Sequence, residues 1–240
     1  MPHPRSSIDP HGVVIFLAQP DGLVADPTSR AILADDDLAH VTRFRFERDR
    51  HIALASRALQ RRALSSCAAV APDAWRFVAD DNGRPQIAAP LPAPPLCFSV
   101  ANTRGLVACA VSVSREVGLD VETWRDDAPS PLIERCFAPD ERGALAALPT
   151  AAQPRRFIEL WTLKEAYIKA RGLGLSLPLE RISVALDDGE PRLSLDPALA
   201  DDAASWQLAL WSPIPSHAAA LCVRRGDGPP LTIDLRWLPG

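Results

Sequence analysis

The sequence predicts an α+β fold made of two similar lobes in a pseudo-twofold arrangement, with the active site at their interface. Strand and helix patterns follow the same order in both halves: a strand, a long helix and then several strands. The order starts again near residue 112, so we place one lobe at residues 1–112 and the other at residues 113–240. A two-lobed structure is expected to form its best pocket between the lobes.

In the first half, local spacing marks one long helix among several strands. Residues 13–18 are a short, continuous apolar run, which is typical of a buried strand. From about residue 43 to 69, apolar residues recur at helical spacing, with arginines on the other side. The segment 88–95 is rich in proline and predicts an irregular connection. The other predicted strands of this half are 75–78, 97–100 and 105–113.

The second half has its own strand, helices and further strands. A strand is predicted at 117–122, and residues 153–170 have the clearest helical spacing of the chain. Residues 132–148 also have a helical pattern. Beyond Gly174 the pattern predicts short strands at 182–186, 192–195, 206–211 and 218–223.

Composition and charge argue against several classes of protein. The chain of 240 residues is 47% hydrophobic and 23% charged, as in an ordinary globular protein. It has no run of eighteen apolar residues and no apolar signal segment near its start, so we expect a cytoplasmic protein. The five cysteines lack CxxC spacing, which favours reduced, buried thiols over a zinc site. The net charge of −4 argues against nucleic acid as the main partner.

Two acidic residues alternate with apolar residues on the strand predicted at 117–122. Asp120 and Glu122 are two positions apart, so their side chains point to one face while Leu119 and Val121 enter the core. Like charges on one face repel each other unless a cation or donor lies between them. Mg²⁺, a hard ion that prefers oxygen ligands, would satisfy both carboxylates. For this pair alone, a solvated strand face is the simpler alternative.

Only two lysines occur among the 26 basic residues, and both lie on the helix predicted at 153–170. Glu165 and Lys169 are four positions apart, so they share a helix face with Trp161. Lys164 is expected on the rim of that face. A carboxylate with a lysine suits metal-assisted phosphoryl chemistry, in which the ammonium offsets charge on the leaving group. The alternative is a surface ion pair, which contributes roughly a few tenths of a kcal/mol.

Together these segments resemble the 4′-phosphopantetheinyl transferases of the surfactin-synthetase type. The family pattern is a G-[ILV]-D-[ILV]-E strand, followed about forty residues later by W-[ST]-x-K-E-[AS]-[FY]-x-K. The two motifs are residues 118–122 and 161–169 here. The resemblance covers roughly residues 40–190 in the correct order, because weaker similarities occur at 44–61, 75–77, 83–85, 98–111 and 172–179.

The resemblance implies an enzyme that moves 4′-phosphopantetheine from coenzyme A to a serine hydroxyl of an acyl or peptidyl carrier protein, with release of adenosine 3′,5′-bisphosphate. It implies that Asp120, Glu122 and Glu165 hold Mg²⁺, or Mn²⁺ in its place, and that Glu165 takes the serine proton. Lys169 would neutralise the departing phosphate, and Lys164 would assist at the phosphates or shape the rim.

The roles of the two lobes also follow from the resemblance. The lobe at 1–112 would bind the adenine and 3′-phosphate of coenzyme A, and the lobe at 113–240 would carry the metal and the catalytic helix. The residues expected to contact coenzyme A are Arg48, Gly83, Arg84, Pro85, Ala101, Asn102, Thr103, Asp120, Lys164 and Lys169. Asn102 stands where the family has histidine, so it can donate to a phosphate but adds no charge. Other arginines of the first helix are expected at the surface or in support of the fold: Arg50, Arg57, Arg61 and Arg62.

The partners implied are acidic carrier domains of fatty-acid, polyketide, nonribosomal peptide or siderophore synthases, and the implied state is a monomer. Basic and apolar side chains after the metal strand suit such a partner. The docking surface is therefore expected at Arg125, Leu132, Ile133, Arg135 and Phe137.

Two other functions fit part of the pattern. A different Mg²⁺-dependent phosphotransferase would need a nucleotide P-loop or further carboxylates, and no GxxxxGK[ST] motif occurs. A non-catalytic module that binds coenzyme A or a carrier protein would be expected to have lost a metal carboxylate or Lys169, and all of them are present.

Overall fold

The computed structural model describes residues 8–239 and divides into two compact units. The first unit comprises Met1–Val117 with Leu231–Gly240, and the second comprises Gly118–Pro230. Helices and strands are mixed in both units, which confirms the predicted α+β class. The predicted boundary between residues 112 and 113 differs from this division in two places. Residues 113–117 continue the first unit, and the last ten residues return to it because their strand pairs with the first strand.

The first unit is built around a four-stranded sheet. With the elements numbered along the whole chain, its strands are β1 (Gly12–Ala18), β2 (Arg76–Ala79), β3 (Pro85–Ala89), β4 (Leu96–Thr103), β5 (Leu106–Val113) and β11 (Thr232–Trp237). Its helices are α1 (Pro20–Ala25), α2 (Pro27–Ala31), α3 (Asp35–Thr42) and α4 (Glu47–Cys67). The sheet order is β11-β1-β5-β4, and β2 and β3 form a separate ribbon.

Apolar runs form the centre of that sheet, as their sequence predicts. All residues of β1 and β5 are buried, and the two strands pair antiparallel with Val13 opposite Ser112. The long helix α4 packs Ala55 and Leu59 into the same core as Phe16 of β1. This core fixes the positions of β4 and of the turn that follows it, because β4 pairs with β5 along its whole length.

The second unit contains the clearest predicted helix and a smaller sheet. Its strands are β6 (Val117–Thr123), β7 (Ile182–Asp187), β8 (Glu190–Leu195), β9 (Trp206–Trp211) and β10 (His217–Arg224). Its helices are α5 (Ser130–Cys136), α6 (Pro139–Ala146) and α7 (Gln153–Arg171). The sheet order is β6-β10-β9, and β7 and β8 form a hairpin. None of the helices in the described part of the chain is long and apolar enough to cross a membrane.

The helix predicted at 132–148 is two helices, α5 and α6. The chain is extended at Phe137 and Ala138, and Pro139 opens α6. Proline favours an extended residue before it and is suited to the first position of a helix, which explains the break. Phe137 is turned into the core by this arrangement, where it stacks on Phe157 at a centroid distance of 5.4 Å.

Candidate active site

Strand β6 carries the two predicted acidic residues on the face opposite to Leu119 and Val121. Leu119 and Val121 are buried with 0% and 2% exposure, as their alternation predicts. Asp120 is also nearly buried, at 6% exposure, and Glu122 is half-buried. The carboxylates therefore lie at a partly shielded face rather than on a fully solvated one.

Gly118 allows β6 to approach helix α7 very closely. A Cβ atom at this position would lie 1.9 Å from the backbone oxygen of Ala166 and 2.3 Å from the backbone nitrogen of Ala170. Any side chain would therefore separate the strand from the helix. The glycine of the first motif is required for packing against the helix that carries the second motif.

Helix α7 presents one partly exposed line of residues among buried neighbours. Trp161, Glu165 and Lys169 are half-buried, whereas the residues on either side of each of the last two are buried. Residues four positions apart lie on one face of a helix, so the sequence predicts that these three side chains share a face. The two motifs come together on it, because Nζ of Lys169 donates to Oδ1 of Asp120 at 2.6 Å.

Burial raises the pKa values of all three carboxyl groups, and the charge of Asp120 adds to the rise for Glu122 and Glu165. Burial is the largest cause for Asp120, and Lys169 opposes it. Burial, followed by the charge of Asp120, raises the pKa of Glu122 to about 7. The same two causes raise the pKa of Glu165, again against Lys169. One ammonium therefore faces three acidic groups, and the site holds an excess of negative charge when they are ionised.

Protein side chains alone do not complete a metal site here. Within residues 8–239, no group of three or more histidine, cysteine, aspartate or glutamate side chains could hold a metal ion. The prediction that Asp120, Glu122 and Glu165 hold Mg²⁺ against the pyrophosphate of coenzyme A includes phosphate oxygens among the ligands, so it stays a prediction. One carboxylate oxygen of Asp120 forms an ion pair with Lys169.

The donors present nevertheless suit a divalent ion bound together with a phosphate. Oδ2 of Asp120 is buried and has no hydrogen-bond partner. Such an oxygen is costly unless a ligand or ion satisfies it. Mg²⁺ is usually held by one or two carboxylates together with substrate phosphate oxygens, rather than by an all-protein cage.

Lys164 does not lie on the rim of this site, contrary to prediction. Its side chain is 0% exposed, and Nζ donates to Oε2 of Glu141 at 2.5 Å and to the backbone oxygen of Ile182. Glu141 also accepts from the backbone N–H groups of Ala138 and Val184 at 2.7 and 2.8 Å. The ammonium therefore joins α6, α7 and β7 and is not available to a phosphate.

A separate pocket of about 290 Å³ lies in the first unit. Two residues of the predicted coenzyme A set, Pro85 and Asn102, line it. Sequence reasoning missed other lining residues that can form hydrogen bonds: His40, Asp49, Ser56, Arg57 and Gln60. His40 lies on α3, and the other four lie on α4. The spacing of those four could have indicated a polar helix face, but a solvated helix face has the same spacing.

The other residues of the first unit that are predicted to contact coenzyme A do not line this pocket. Arg48 has a 73% exposed side chain and lies 3.4 Å from Asp49. Arg84 donates to the backbone oxygen of Val117 at 3.2 Å. Gly83 has a φ of 80° in the turn before β3. Ala101 is buried on β4 with 1% exposure, and Thr103 is half-buried at the end of that strand.

The arginines of α4 have more than one role. Arg61 is buried and donates to Asp37 and to the backbone oxygens of Pro72 and Trp75. Arg62 pairs with Asp26, and Arg50 donates to the backbone oxygens of residues 44 and 45. These three support the fold, as expected. Arg57 lines the pocket as well.

Four of the five residues predicted to dock the carrier are at least partly exposed. Phe137 is 0% exposed, so its assignment to a docking surface is wrong. Arg125 has a 52% exposed side chain, although it pairs with Asp127 at 3.2 Å. Arg135 is exposed, and Leu132 and Ile133 are half-buried against the core.

Comparisons with known proteins agree with the motif resemblance. A family model described as the 4′-phosphopantetheinyl transferase superfamily matches residues 116–222. A second model, described as the N-terminal part of 4′-phosphopantetheinyl transferase, matches residues 28–114. The two matches cover most of both units.

Among curated proteins, the 4′-phosphopantetheinyl transferase HetI of Nostoc sp. is 32% identical over 210 residues, which is 87% of this chain and 85% of HetI. The 4′-phosphopantetheinyl transferase Sfp of Bacillus subtilis is 29% identical over 78% of this chain and 80% of Sfp.

Solved structures of holo-[acyl-carrier-protein] synthases are similar to part of the chain. The Thermotoga maritima protein has a TM-score of 0.39 and 23% identity, covering 46% of this chain and 63% of that one. The Chronobacterium ammoniagenes ACPS–CoA complex has a TM-score of 0.39 and 24% identity, covering 48% of this chain and 99% of that one.

Proposed function

Because this chain belongs to the 4′-phosphopantetheinyl transferase superfamily, it transfers phosphopantetheine from coenzyme A to a carrier protein, and we propose that the polar residues of β6 and α7 carry out that transfer. The contact between Lys169 and Asp120 is the observation that carries the proposal. It joins the two motifs at a half-buried face where three acidic groups and one ammonium meet.

The reaction requires a base for the carrier serine, and Glu165 has the properties of one. The serine oxygen bonds to the phosphorus that carries the pantetheine arm, and its proton passes to Glu165. The bond from that phosphorus to the bridging oxygen breaks, and adenosine 3′,5′-bisphosphate leaves with the electron pair. Burial raises the pKa of Glu165, which makes this carboxylate a stronger base than an exposed glutamate.

Lys169 provides positive charge for the phosphate that leaves. Its side chain is 33% exposed, so it can reach a ligand while it also contacts Asp120. Phosphoryl transfer depends mainly on positioning and on stabilising charge, which a single well-placed ammonium can do. Lys164 is not part of this set, because its side chain is 0% exposed and donates to Glu141 and Ile182.

Asp120, with Glu122 and Glu165 beside it, would hold Mg²⁺ or Mn²⁺ against the diphosphate of coenzyme A. An ion held there would supply positive charge that offsets the charge of the diphosphate. The unpartnered Oδ2 of Asp120 and the oxygen-only donor set support this assignment. Glu122 would bind the ion either directly or through water.

The pocket of the first unit suits the adenosine end of coenzyme A. Arg57, Asn102 and Gln60 supply donors around it, and Pro85 supplies an apolar surface. Arg48 and Arg84 stay in the proposed set as charges for the 3′-phosphate, with Gly83, Ala101 and Thr103 as backbone contacts. Asn102→Ala is expected to raise the KM for coenzyme A several-fold; an unchanged KM would exclude this contact.

The carrier would dock on Arg125 and Arg135, with Leu132 and Ile133 as apolar contacts. Oppositely charged surfaces increase association rates, and the exposed guanidinium groups suit an acidic partner. Charge reversal of both arginines to glutamate is expected to raise the carrier KM and leave the KM for coenzyme A unchanged. An unchanged carrier KM would exclude this surface.

The reaction can be tested by mass spectrometry of a carrier protein. The chain is mixed with coenzyme A, Mg²⁺ and several apo-carriers of different synthase types, and a carrier that gains one phosphopantetheine identifies a substrate. Glu165→Gln is expected to lower the rate by about 100-fold or more, since it removes the general base. Chelation of divalent ions is expected to stop the reaction, and added Mg²⁺ should restore it.

Glu159→Gln is the matched control. Glu159 lies on the same helix but pairs with Arg155 and Arg156 at 3.1 Å, outside the proposed set. This variant is expected to keep the wild-type rate. A Glu165→Gln protein as active as Glu159→Gln would show that Glu165 is not the base.

A further inference from the structure

Strand β11 forms an edge of the first unit's sheet and exposes apolar side chains there. The sheet order puts β11 at one end, next to β1. Leu235 and Trp237 are 46% and 47% exposed, and they belong to the small set of large apolar residues at the surface. An edge strand with exposed apolar residues is a template for pairing with another strand.

In the described part of the chain, the outer edge of β11 carries the backbone groups of its odd-numbered residues. The N–H of Thr232 donates to the backbone oxygen of His11 at 3.1 Å, and that of Leu238 donates to Leu17 at 2.9 Å. Successive residues of a strand direct their N–H and C=O groups to opposite sides. The even-numbered residues therefore face β1, and Ile233, Leu235 and Trp237 direct their backbone groups outward.

We propose that β11 pairs antiparallel with β11 of a second copy of this chain, with Leu235 at the twofold axis. In this register Leu235 lies opposite Leu235 of the second copy, and Ile233 lies opposite Trp237. The outward backbone groups then form roughly six hydrogen bonds between the copies. Such an interface is isologous, because both copies contribute the same strand.

The charges of the strand complement themselves in this register. Asp234 and Arg236 stand symmetrically about Leu235, and they form an ion pair within one chain at 2.7 Å. Across the twofold axis, Asp234 of each copy lies directly opposite Arg236 of the other. Opposite charges in such cross-strand pairs contribute about 0.2–1 kcal/mol each.

The same charges exclude the two neighbouring registers. If the register shifts in one direction, Asp234 of one copy lies opposite Asp234 of the other. If it shifts in the other direction, Arg236 of one copy lies opposite Arg236 of the other. Like charges directly opposite each other are destabilising. A strand of unrelated sequence has no reason to match this pattern, whereas a second copy of β11 matches it by symmetry.

The interface consists of one strand from each copy, so the dimer is expected to be weak and dependent on concentration. It goes beyond the transfer reaction, since no residue of β11 belongs to the proposed catalytic or coenzyme A set. It also departs from the monomer that the family resemblance implies.

Analytical ultracentrifugation of the full chain between about 1 μM and 1 mM tests the pairing. We expect the dimer fraction to rise with concentration for the wild type. Each single variant, Asp234→Arg or Arg236→Asp, puts like charges at both cross-strand positions. Each should therefore weaken association by about tenfold or more, and a tenfold change equals about 1.4 kcal/mol. The double variant Asp234→Arg/Arg236→Asp keeps opposite charges together, so it should recover the wild-type association.

Leu235→Pro is a second test, because it removes an outward N–H and leaves the ladder with β1 intact. It should abolish the dimer, while thermal denaturation and transfer of phosphopantetheine show that the variant is folded. A wild type that stays monomeric up to 1 mM overturns the proposal. The proposal also fails if β11 pairs only with a different protein. A double variant no better than the single variants, or a dimer that survives Leu235→Pro, overturns it as well.

Discussion

Lys164 and Lys169 are the only lysines of the chain, yet they have different environments. Lys164 is 0% exposed beside Glu141, whereas Lys169 is 33% exposed beside Asp120. Five residues along an α-helix correspond to a rotation of about 140°, so the two side chains leave different sides of α7. One lysine therefore supports the fold, and the other is available to a ligand.

Removal of the Lys164 ammonium is expected to destabilise the protein strongly. Lys164→Met would leave the carboxylate of Glu141 buried and without its cation, which costs about 3–5 kcal/mol. Urea unfolding followed by circular dichroism measures the loss. Lys169→Met is the comparison variant, and it should cost less stability because the Lys169 side chain is 33% exposed, so water can reach the place that its ammonium leaves.

The double variant Lys164→Met/Glu141→Leu separates the charge from the packing. It removes both charges, so it should recover part of the stability. Full recovery is not expected, because the backbone N–H groups of Ala138 and Val184 also lose their acceptor. A double variant less stable than Lys164→Met would show that the unpaired charge is not the cause.

The raised pKa of Glu122 makes stability depend on pH. Its pKa is about 7 in the folded protein, against 4.5 ordinarily, so the folded state keeps a proton that the unfolded chain has released. Stability is therefore lost as the pH rises from about 4.5 through about 7. In thermal denaturation without divalent ions, Glu122→Gln should match the wild type at pH 4.5 and exceed it by about 1–3 kcal/mol at pH 8. An equal difference at both pH values would contradict this assignment.

The approach of β6 to α7 is the decisive contact at the scale of elements. The site depends on it, because Asp120 lies on the strand and Glu165 and Lys169 lie on the helix. Only a residue without Cβ fits at Gly118, since the atoms that a Cβ would meet belong to the helix backbone. A helix backbone cannot move aside locally as a flexible side chain can.

Gly118→Ala should therefore lower both stability and activity. The added methyl group would push α7 away from β6, at a cost of about 3 kcal/mol or more. Chemical denaturation measures the loss, and the transfer assay reports the displacement of Glu165 and Lys169 from Asp120. Gly143→Ala on α6 is the control, because a Cβ there meets nothing within 4 Å.

Gly143→Ala should be neutral or should stabilise the protein by up to about 1 kcal/mol, since alanine has a higher helix propensity than glycine. If Gly118→Ala were as stable as Gly143→Ala, the close approach of β6 and α7 would not be essential.

At the scale of the whole molecule, the chain returns to its first unit at the end. Thr232 lies opposite Gly12 and Trp237 lies opposite Leu17, so β11 covers one edge of β1. Leu231 is buried at 6% exposure just before the strand. The C-terminal strand therefore belongs to the sheet of a unit that otherwise ends at residue 117.

Deletion of residues 231–240 is expected to destabilise the first unit selectively. It would expose the hydrogen-bonding groups of β1, so amides of β1 should exchange with solvent at least about tenfold faster by mass spectrometry. Amides of β10, in the second unit, should keep their protection. Deletion of residues 239–240 alone is the control. Equal protection of β1 in both deletions would show that β11 contributes little.

Local patterns in the sequence predicted the elements that depend on short-range physics. The continuous apolar runs of β1 and β5 are buried on both faces of their strands, as expected. The apolar residues of α7 are also buried, as its helical spacing predicts. The break at Pro139 was missed, because a helical period across residues 132–148 outweighed one proline.

The order and spacing of residues predicted the family of the chain and its α+β class. A motif predicts a family because a site's chemistry requires particular residues at a particular spacing. Tertiary structure alone decided that Lys164 is buried, that Phe137 is in the core, that Gln60 and Arg57 line a pocket and that β11 joins the first unit. These facts depend on residues far apart along the chain. Burial and pairing are properties of what surrounds a side chain, and spacing along one element does not contain that information.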